Sequence, residues 1–342
     1  MKPRRKPAFP QPCRLLSVVV TFVICLLVSA TSSNAQVTGG NKVYNSSGTC
    51  CAISSAFLDG SAFGVAGDDI CTRINAALLY AQGHAASFPA GVVVDARGVL
   101  PSVGNPDAQQ CSTTSPQPFN GVTIASTVLL PPLTIKIPKQ WLLPDKTRIV
   151  GEGPNSILVA ISGFISDSTN SIIEMCSTGT CTGVAVEHLK IDGNALNLNG
   201  IYNAGAQDSS YVNDVSLAGI VKTALVIAPG ATDSGPYTNL WAGADKNSTT
   251  TNAACVKIQA QTRGLHGITC AGNGSVSGSA GKAAIYVSAS NNSIEDAHVE
   301  GYHDGIQVLS PSTATPTGNV LIANMTGTGN GDQRGAVLEH YV

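Results

Sequence analysis

The sequence predicts an all-β protein, a parallel β-helix or solenoid whose short strands stack coil upon coil. The first observation comes from residues 184–227, where short apolar runs alternate with polar residues and stop at Gly, Asn or Asp. Such runs are typical of short strands joined by tight turns, because they leave no room for a helix. The second observation is that this pattern recurs at a nearly constant interval.

Similar segments follow one another at a period of roughly two dozen residues, which is typical of repeat architectures. Leu189 is matched by Val215, and Leu240 and Leu265 follow at nearly equal steps. A unit of this size cannot bury its own apolar side chains, so successive units must stack and share a core. A β-sandwich is the alternative for a chain with many short strands, but its strand spacing is shorter and it lacks this repeat.

One amphipathic α-helix is predicted ahead of the coils. Asp68 or Asp69 can cap a helix whose apolar residues between Ile70 and Ala81 share one face. This capping α-helix would cover the open end of the first coil, where strand edges and core side chains otherwise meet water. The expected organisation is a signal peptide over 1–35, a flexible leader over 36–55 and a β-helix domain over 56–342, with an N-terminal cap (56–98) and regular coils (about 145–330).

The first 35 residues have the features of a signal peptide. A basic start precedes an apolar run from Leu15 to Ala30, and Ser33-Asn34-Ala35 fits a small-x-small cleavage site. The apolar run is shorter than the roughly 20 residues that a membrane span needs. Cleavage after Ala35 is therefore expected, with an uncleaved anchor as the alternative. The mature chain is predicted to be secreted, extracellular or periplasmic, without membrane contact.

The mature chain is acidic. Five of the 19 Lys and Arg residues precede residue 36, so 19 less five leaves 14 against 21 Asp and Glu residues and a formal charge of −7. Nucleic acid is not an expected partner, since phosphate contacts need clustered Lys and Arg. For the same reason, a polyanionic sugar would need a local basic patch or a bridging cation.

Eight of the ten cysteines lie beyond residue 35, and an even number in an exported chain indicates disulfides. Cys176 and Cys181 enclose four residues, as expected for a hairpin staple, and Cys255 and Cys270 lie one coil step apart. Zinc is the alternative, but no Cys-x-x-Cys pair with a matching His is present. Four cysteines near the N-terminus would pin the cap: Cys50, Cys51, Cys71 and Cys111.

Three segments of the first half form a further pattern. They are G-V-A-G-D-D-I-C-T-R-I-N-A-A-L from Gly64, F-P-A-G-V-V-V-D-A from Phe88 and R-I-V-G-E-G-P-N-S-I-L-V from Arg148. From about Phe57 onward, the chain resembles the pectin-lyase-like (pectate lyase) superfamily of single-stranded right-handed parallel β-helix proteins. The resemblance implies a right-handed coil. It does not determine the chemistry, since that superfamily includes lyases, hydrolases, epimerases, tail-spike proteins and adhesins.

Stacked coils bring equivalent residues into rows. If Leu189 and its equivalents point inward, the next residue of each unit points outward. The segment from Gly219 aligns with that from Gly301, close to three units farther along the chain, which adds one more unit to the row. A row with a Trp among polar groups, spaced by about 4.8 Å per coil, suits an extended sugar chain; a solvated face with one chance Trp is the alternative. The predicted row is Lys190, Ser216, Trp241, His266 and His298.

A second candidate site lies in residues 295–304. Glycoside hydrolysis needs two carboxyl groups on one surface, one as acid and one as base or nucleophile. Alternation along a strand would place three of these residues on one face, with another carboxylate near the next turn. The same carboxylates suit calcium, although the sequence requires no cofactor. An ordinary polar surface without a functional role is the alternative interpretation. The candidate catalytic residues are Asp296, His298, Glu300, His303 and Asp304.

Two other features bear on the reaction. Glu187 and His188 have the chemistry of an acid–base pair, but adjacent strand residues should point to opposite faces. Arg263, close to His266, is a candidate for substrate binding and for the base that the pectate lyases of the resembled superfamily draw from an arginine. The sequence therefore predicts a secreted hydrolase or lyase that acts on a polysaccharide. A non-catalytic glycan-binding or adhesive β-helix is the alternative, and the sequence does not predict an oligomeric state.

Overall fold

The chain divides into two compact units, Met1–Ile53 and Ser54–Val342. Within the first unit, β1 (Gln36–Thr38) pairs antiparallel with β2 (Lys42–Tyr44). The predicted signal peptide lies outside the described residues, as does most of the predicted leader. The structure, a computed structural model, describes residues 36–38, 42–44, 57–65, 67–99, 108–177, 179–244, 254–272, 283–302, 304–309, 318–328 and 334–339.

Two parallel sheets contain the strands of the second unit, and the larger has 14 strands. Neighbouring strands in it run in the same direction, starting with the first pair, β3 and β4. Its strands are β3 (Phe57–Asp59), β4 (Val92–Asp95), β5 (Ala108–Gln110), β6 (Ser126–Leu129), β7 (Thr134–Lys139), β9 (Thr147–Val150), β10 (Ile157–Ile165), β12 (Ala185–Asp192), β14 (Tyr211–Ile220), β16 (Tyr237–Ala244), β18 (Leu265–Ala271), β20 (Asn292–Glu300), β22 (Val320–Ala323) and β23 (Thr326–Thr328).

The smaller sheet has eight strands, also parallel. From residue 171 onward, the chain visits the two sheets in turn, so that each passage adds a strand to both. This order confirms the prediction of an all-β chain with stacked parallel strands and is consistent with a solenoid-like parallel β-helix. The strands are β8 (Trp141–Leu143), β11 (Ser171–Met175), β13 (Asn199–Asn203), β15 (Leu225–Ile227), β17 (Val256–Ile258), β19 (Ala283–Val287), β21 (Asp304–Leu309) and β24 (Arg334–Glu339).

The predicted stacking of the central coils is confirmed for three units. Leu189 aligns with Val215, and Val215 aligns with Leu240. All three side chains are buried in the core that the sheets share. Leu240 then aligns with Ile268 and not with the predicted Leu265. The prediction fails here because this unit of the chain is longer, by three positions, than the unit before it.

The helix predicted from the sequence is present as α1 (Ile70–Gly83), the one α-helix of the described part of the chain. Asp69 is its N-cap, since its Oδ1 accepts a hydrogen bond of 2.9 Å from the Thr72 amide. Its role as a cap on the first coil stays a prediction. The helix contributes Ile70, Cys71, Ile74, Ala77, Leu78 and Ala81 to the hydrophobic core.

Three disulfides link the described residues: Cys71–Cys111, Cys176–Cys181 and Cys255–Cys270. The last two confirm the pairs expected from spacing, whereas Cys50 and Cys51 lie outside the described residues. Asp69 lies near the first disulfide, but sulfur atoms in a disulfide are not thiolate ligands, so the group is no metal site. Within the ranges described, no helix has the length and hydrophobicity of a membrane span.

A residue with a positive φ angle bends the chain at one aligned position in β12, β14, β16, β18 and β20, and again between β22 and β23. The bend interrupts the alternation of side chains: in β20, Ile294 and Ala297 are both buried, while Glu295 and Asp296 between them face outward. Asn, Asp and Gly occupy most bends because they tolerate this left-handed conformation best. The bend residues are His188, Asp214, Asn239, Gly267, Asp296 and Asn324, with φ angles from 51° to 67°.

Candidate functional site

The second residue after each bend points outward and forms a row across the larger sheet. The pairings confirm the predicted alignment of Lys190 with Ser216 and of Ser216 with Trp241, and they place His298 in the same row. The prediction is wrong for His266, which lies before the bend because its unit is longer than the others. The observed row is Lys190, Ser216, Trp241, Thr269 and His298.

Trp241 presents a flat apolar surface in the middle of this row. Its side chain is 44% exposed, and its six-membered ring covers Gly243 so closely that a Cβ there would lie 2.6 Å from Cη2. Ala218 and Ala271 lie on the two neighbouring strands, and because their side chains are small, the surface beside the indole is shallow. A second outward row thus runs beside the first; we call both together the Trp241 face. In this second row Asp192 aligns with Ala218, and Gly243 aligns with Ala271 and Ala271 with Glu300, while a register shift between β14 and β16 separates the two groups.

A carboxylate lies beside a basic side chain at each end of the Trp241 face. Lys190 Nζ is 3.4 Å from Asp192 Oδ2 at one end. At the other end, His298 Nε2 is 3.9 Å from Glu300 Oε2, and its Nδ1 is 3.0 Å from the Thr326 hydroxyl. The charged groups therefore frame a central section that carries only hydroxyl groups, small residues and the indole.

Three of the predicted catalytic residues, Asp296, His298 and Glu300, lie on β20 at the His298 end. Asp296 is a bend residue whose Oδ1 accepts a hydrogen bond of 3.1 Å from Asn324 Nδ2. Glu295 precedes it, and its Oε2 lies 3.5 Å from Nδ1 of His266 on the neighbouring strand. These side chains are partly or fully exposed to solvent. We call this group the open cluster: His266, Glu295, Asp296, His298 and Glu300.

Two of the predicted site residues do not join this surface. Asp304 is fully buried at the start of β21, because the chain has by then crossed into the smaller sheet. Arg263 lies in the turn before β18, where its Nη2 donates a hydrogen bond of 2.6 Å to Asp208. His303 lies outside the described residues.

The structure overturns the argument that Glu187 and His188 point apart. Because His188 is a bend residue, both side chains leave the same side of the strand, with Nε2 of His188 4.0 Å from Oε2 of Glu187. The Glu187 carboxylate accepts hydrogen bonds from Arg148 (Nη2, 2.7 Å, and also Nε) and from the Tyr211 hydroxyl (2.8 Å). Nδ1 of His188 lies 2.8 Å from Oδ2 of Asp214 at the next bend. We call these five residues the closed cluster.

Within the closed cluster, electrostatics keep Glu187 and Arg148 charged. Burial favours the neutral form of Glu187, but the hydrogen bonds from Arg148 and Tyr211 and the charge of the guanidinium hold the pKa of that carboxyl below its ordinary value. The hydrogen bond to Glu187 in turn raises the pKa of Arg148, which stays protonated. Glu187 is therefore ionised, and its carboxylate oxygens accept hydrogen bonds from its neighbours. This arrangement suits a structural role and not proton donation.

Another buried carboxyl was not singled out from the sequence. Glu174 on β11 accepts hydrogen bonds from Gln140 Nε2 (3.0 Å) and the Thr169 hydroxyl (3.2 Å). Burial, followed by the hydrogen bond and the negative charge of Asp167, raises the pKa of Glu174 to about 8. For Asp167, burial opposes ionisation, but the hydrogen bonds with Glu174 and Thr169 outweigh it and lower the pKa. Glu174 therefore carries a proton at neutral pH beside an ionised Asp167.

Comparison with known proteins identifies no family. No family model and no curated protein matches the chain. Among solved structures, ORF18 of Geobacillus virus E2 is similar over 79% of this chain and 60% of its own length, with 11% sequence identity and a TM-score of 0.38. The chain thus spans less than two thirds of that viral protein, and no activity is carried over from it.

Proposed function

We propose that this protein is an exported polysaccharide-active protein that binds an extended glycan along the Trp241 face. The observation that supports this most directly is the half-exposed indole of Trp241, held flat over Gly243. An indole offers a large, rigid apolar surface at little conformational cost, and the apolar face of a sugar ring can stack on it. The hydroxyls of Ser216 and Thr269 lie one strand away on either side and can bond to sugar hydroxyls.

The geometry of the row supports an extended ligand. Neighbouring strands lie about 4.8 Å apart, so the four steps from Lys190 to His298 cover about 19 Å. A glycan that crosses the strands would meet one outward residue of the row at each step. Export is supported by the three disulfides, which are typical of oxidising compartments.

The fold belongs to the same proposal. The chain is a right-handed parallel β-helix of the pectin-lyase-like type, with α1 as its N-terminal cap. Support comes from the regular alternation of the chain between two parallel sheets and from the apolar face that α1 buries. In such a coil every outward row is continuous, which is why a single Trp can serve a ligand that spans several units.

Replacement of Trp241 by Ala tests the binding proposal. The glycan ligand is first identified by screening soluble polysaccharides. The affinity of the variant for this glycan should be lower by about tenfold or more, because the stacking surface is lost. Phe57→Ala is the matched control, since Phe57 is an exposed aromatic (47%) on the first strand of the same sheet. The chain has two tryptophans, and Trp141 is buried, so a bound glycan should protect only Trp241 fluorescence from acrylamide quenching. Equal binding by both variants would refute the proposal.

Hydrolysis at the open cluster is the second candidate function. Glycoside hydrolysis needs one carboxyl group as acid and another as base or nucleophile. The bend at Asp296 turns two consecutive carboxyl side chains outward on the strand that also carries Glu300. Elimination of the lyase type is less well supported, because the guanidinium of Arg263 is paired with Asp208 before β18 begins. A glycan on the Trp241 face would reach the open cluster at His298.

Glu300→Gln and Asp296→Asn test the hydrolytic candidate. We expect each to lower the release of reducing ends by about a hundredfold, the typical contribution of a general acid or base, while binding at Trp241 persists. The assay should use a broad polysaccharide panel with calcium and with a chelator, since the same carboxylates suit a calcium ion. Binding without turnover in the unmodified protein would assign it to the non-catalytic glycan-binding or adhesive class.

A further inference from the structure

The Trp241 face contains one fixed cation, and this cation is already paired. Lys190 is the only Lys or Arg in the two rows, and its Nζ lies 3.4 Å from the Asp192 carboxylate. His298, at the other end, lies 3.9 Å from the Glu300 carboxylate. Among these ten residues, a polyanion would find no ammonium or guanidinium group without a carboxylate beside it.

The residues that border the face add negative charge. Asp214 and Asp296 occupy bends beside the first row, and Glu295 precedes the second of these bends. Arg148, across the bend from Lys190, is bonded to Glu187. Lys136 lies in line with Asp192, two strands farther along the sheet. It is therefore four strand steps, or about 19 Å, from the strand that carries Gly243. That separation exceeds the Debye length of about 8 Å at physiological ionic strength, so Lys136 is screened from a ligand on Trp241.

The groups that remain for recognition are electrically neutral. They are the indole of Trp241, the hydroxyls of Ser216 and Thr269 on the neighbouring strands, and the shallow surface around Gly243. Stacking on an indole and hydrogen bonding to a hydroxyl require no charge on the sugar. A uronate on every sugar residue would instead bring carboxylates near Asp192 and Glu300, and like charges at such distances repel.

We infer that the glycan on the Trp241 face is an uncharged polysaccharide and not a polyuronate. The inference rests on the proposed binding function and adds the chemical class of the ligand. Charge balance around the indole is the observation that carries it: the paired cation Lys190, the carboxylates Asp192 and Glu300, and the neutral groups between them.

The test compares each neutral polysaccharide of a panel (glucan, mannan, xylan and galactan) with a carboxylate-bearing derivative of the same backbone. The full mature chain and the Trp241→Ala variant are measured side by side, with calcium and with a chelator. We expect binding that depends on Trp241 and is at least about tenfold tighter for the neutral form, a factor that repulsion between like charges readily supplies at an interface. Affinity for the neutral form should change little between low and high salt, because no ion pair with the ligand is formed.

The outcomes separate the inference from the proposed function. Tighter Trp241-dependent binding of the carboxylated form overturns the inference while the binding proposal stands. Carboxylated binding that appears only with calcium also overturns it, since a bridging cation would then supply the missing charge. Failure of both forms to show binding that depends on Trp241 refutes the proposed function itself.

Charge variants provide an independent measurement. Asp192→Asn and Glu300→Gln remove the two carboxylates of the face. Together they should raise the affinity for the carboxylated polysaccharide several-fold and so reduce the ratio of the affinities for the neutral and the carboxylated form. Asp208→Asn is the matched control, since Asp208 is an exposed carboxylate paired with Arg263 before β18 begins. An unchanged ratio of affinities in the double variant would contradict the charge argument.

Discussion

Glu174 and Glu187 are equally buried, yet they are in opposite charge states. Their exposed fractions are 2% and 3%, and each lies on a strand of a parallel sheet, Glu174 in the smaller and Glu187 in the larger. Glu187 meets the guanidinium of Arg148, whereas Glu174 meets the carboxylate of Asp167. Burial alone therefore does not decide the protonation of a carboxyl group in this fold; the charge that a neighbouring segment supplies decides it.

The comparison also separates two kinds of acidic group in the candidate site. In the closed cluster, the Glu187 carboxylate accepts hydrogen bonds from Arg148 and Tyr211, although the next residue in the sequence is a histidine. In the open cluster, Glu295 and Glu300 stay exposed beside His266 and His298. The same residue types thus form a structural network at one end of the face and an accessible group at the other, because only the first has an arginine on the adjoining strand.

The pH dependence of stability should differ in sign between the two buried glutamates. The pKa of Glu174 is raised from 4.5 to about 8, so its contribution is complete below about pH 4.5 and is lost as the pH rises through 8. The pKa of Glu187 is lowered, so its contribution is present above about pH 4.5 and is lost as the pH falls through the lowered value. The loss for Glu174 should be on the order of a few kcal/mol by pH 9.

Urea unfolding of Glu174→Gln and Glu187→Gln across pH 3–9 measures this difference. Relative to the unmodified protein, Glu174→Gln should gain stability toward alkaline pH, and the defect of Glu187→Gln should shrink toward acidic pH. Parallel pH profiles for the two variants would show that the neighbouring charges do not set their protonation.

Removal of Arg148 should have the next largest effect. Arg148→Met leaves the Glu187 carboxylate buried with the Tyr211 hydroxyl as its remaining donor, and we expect a loss of about 2–3 kcal/mol in the free energy of unfolding at pH 7. Arg97→Met is the matched control. Arg97 is about as exposed as Arg148, but its partners Asp95 and Glu152 are 19% and 45% exposed, against 4% for Glu187, so its loss should stay below about 1 kcal/mol. Similar losses in both variants would contradict the comparison.

Tyr211→Phe should give the smallest effect, about 1 kcal/mol at pH 7, because Glu187 keeps its bonds from Arg148. The effect should diminish in acid as Glu187 becomes protonated. Tyr237→Phe serves as the control, since the buried Tyr237 hydroxyl bonds to the neutral side chains of Asn203 and Ser234. Its loss should be constant with pH between 3 and 9, and a matching acid dependence in both variants would point away from the Glu187 charge.

Sequence reasoning located the Trp241 row where the units are regular. The nearly equal steps from Leu189 to Val215 and on to Leu240 aligned Lys190 with Ser216 and Trp241, as observed. The same reasoning failed at His266, because counting along the chain assumes equal units and the next unit is longer. His298 was placed correctly by a different signal, the alignment of Gly219 with Gly301, both of which have a positive φ angle and follow a bend at the same spacing.

Alternation along a strand misled the interpretation of Glu187 and His188 for a local reason. A residue with a positive φ angle resets which face the following side chains take, so two neighbours can point outward together. Asn, Asp and Gly at five of the six bends are a signal for this conformation. His188 carries no such signal, and only its alignment with Asp214 would have revealed the bend.

By itself, the amino-acid sequence determined the all-β class, the parallel stacking, the helix ahead of the coils and two of the disulfides, because these depend on local periodicity and spacing. Only the tertiary structure decided which side chains share a surface and which carboxyl groups are charged. Those properties depend on residues that meet across coils, such as Arg148 with Glu187 or His188 with Asp214. Because the units differ in length, counting along the chain does not reveal which residues meet.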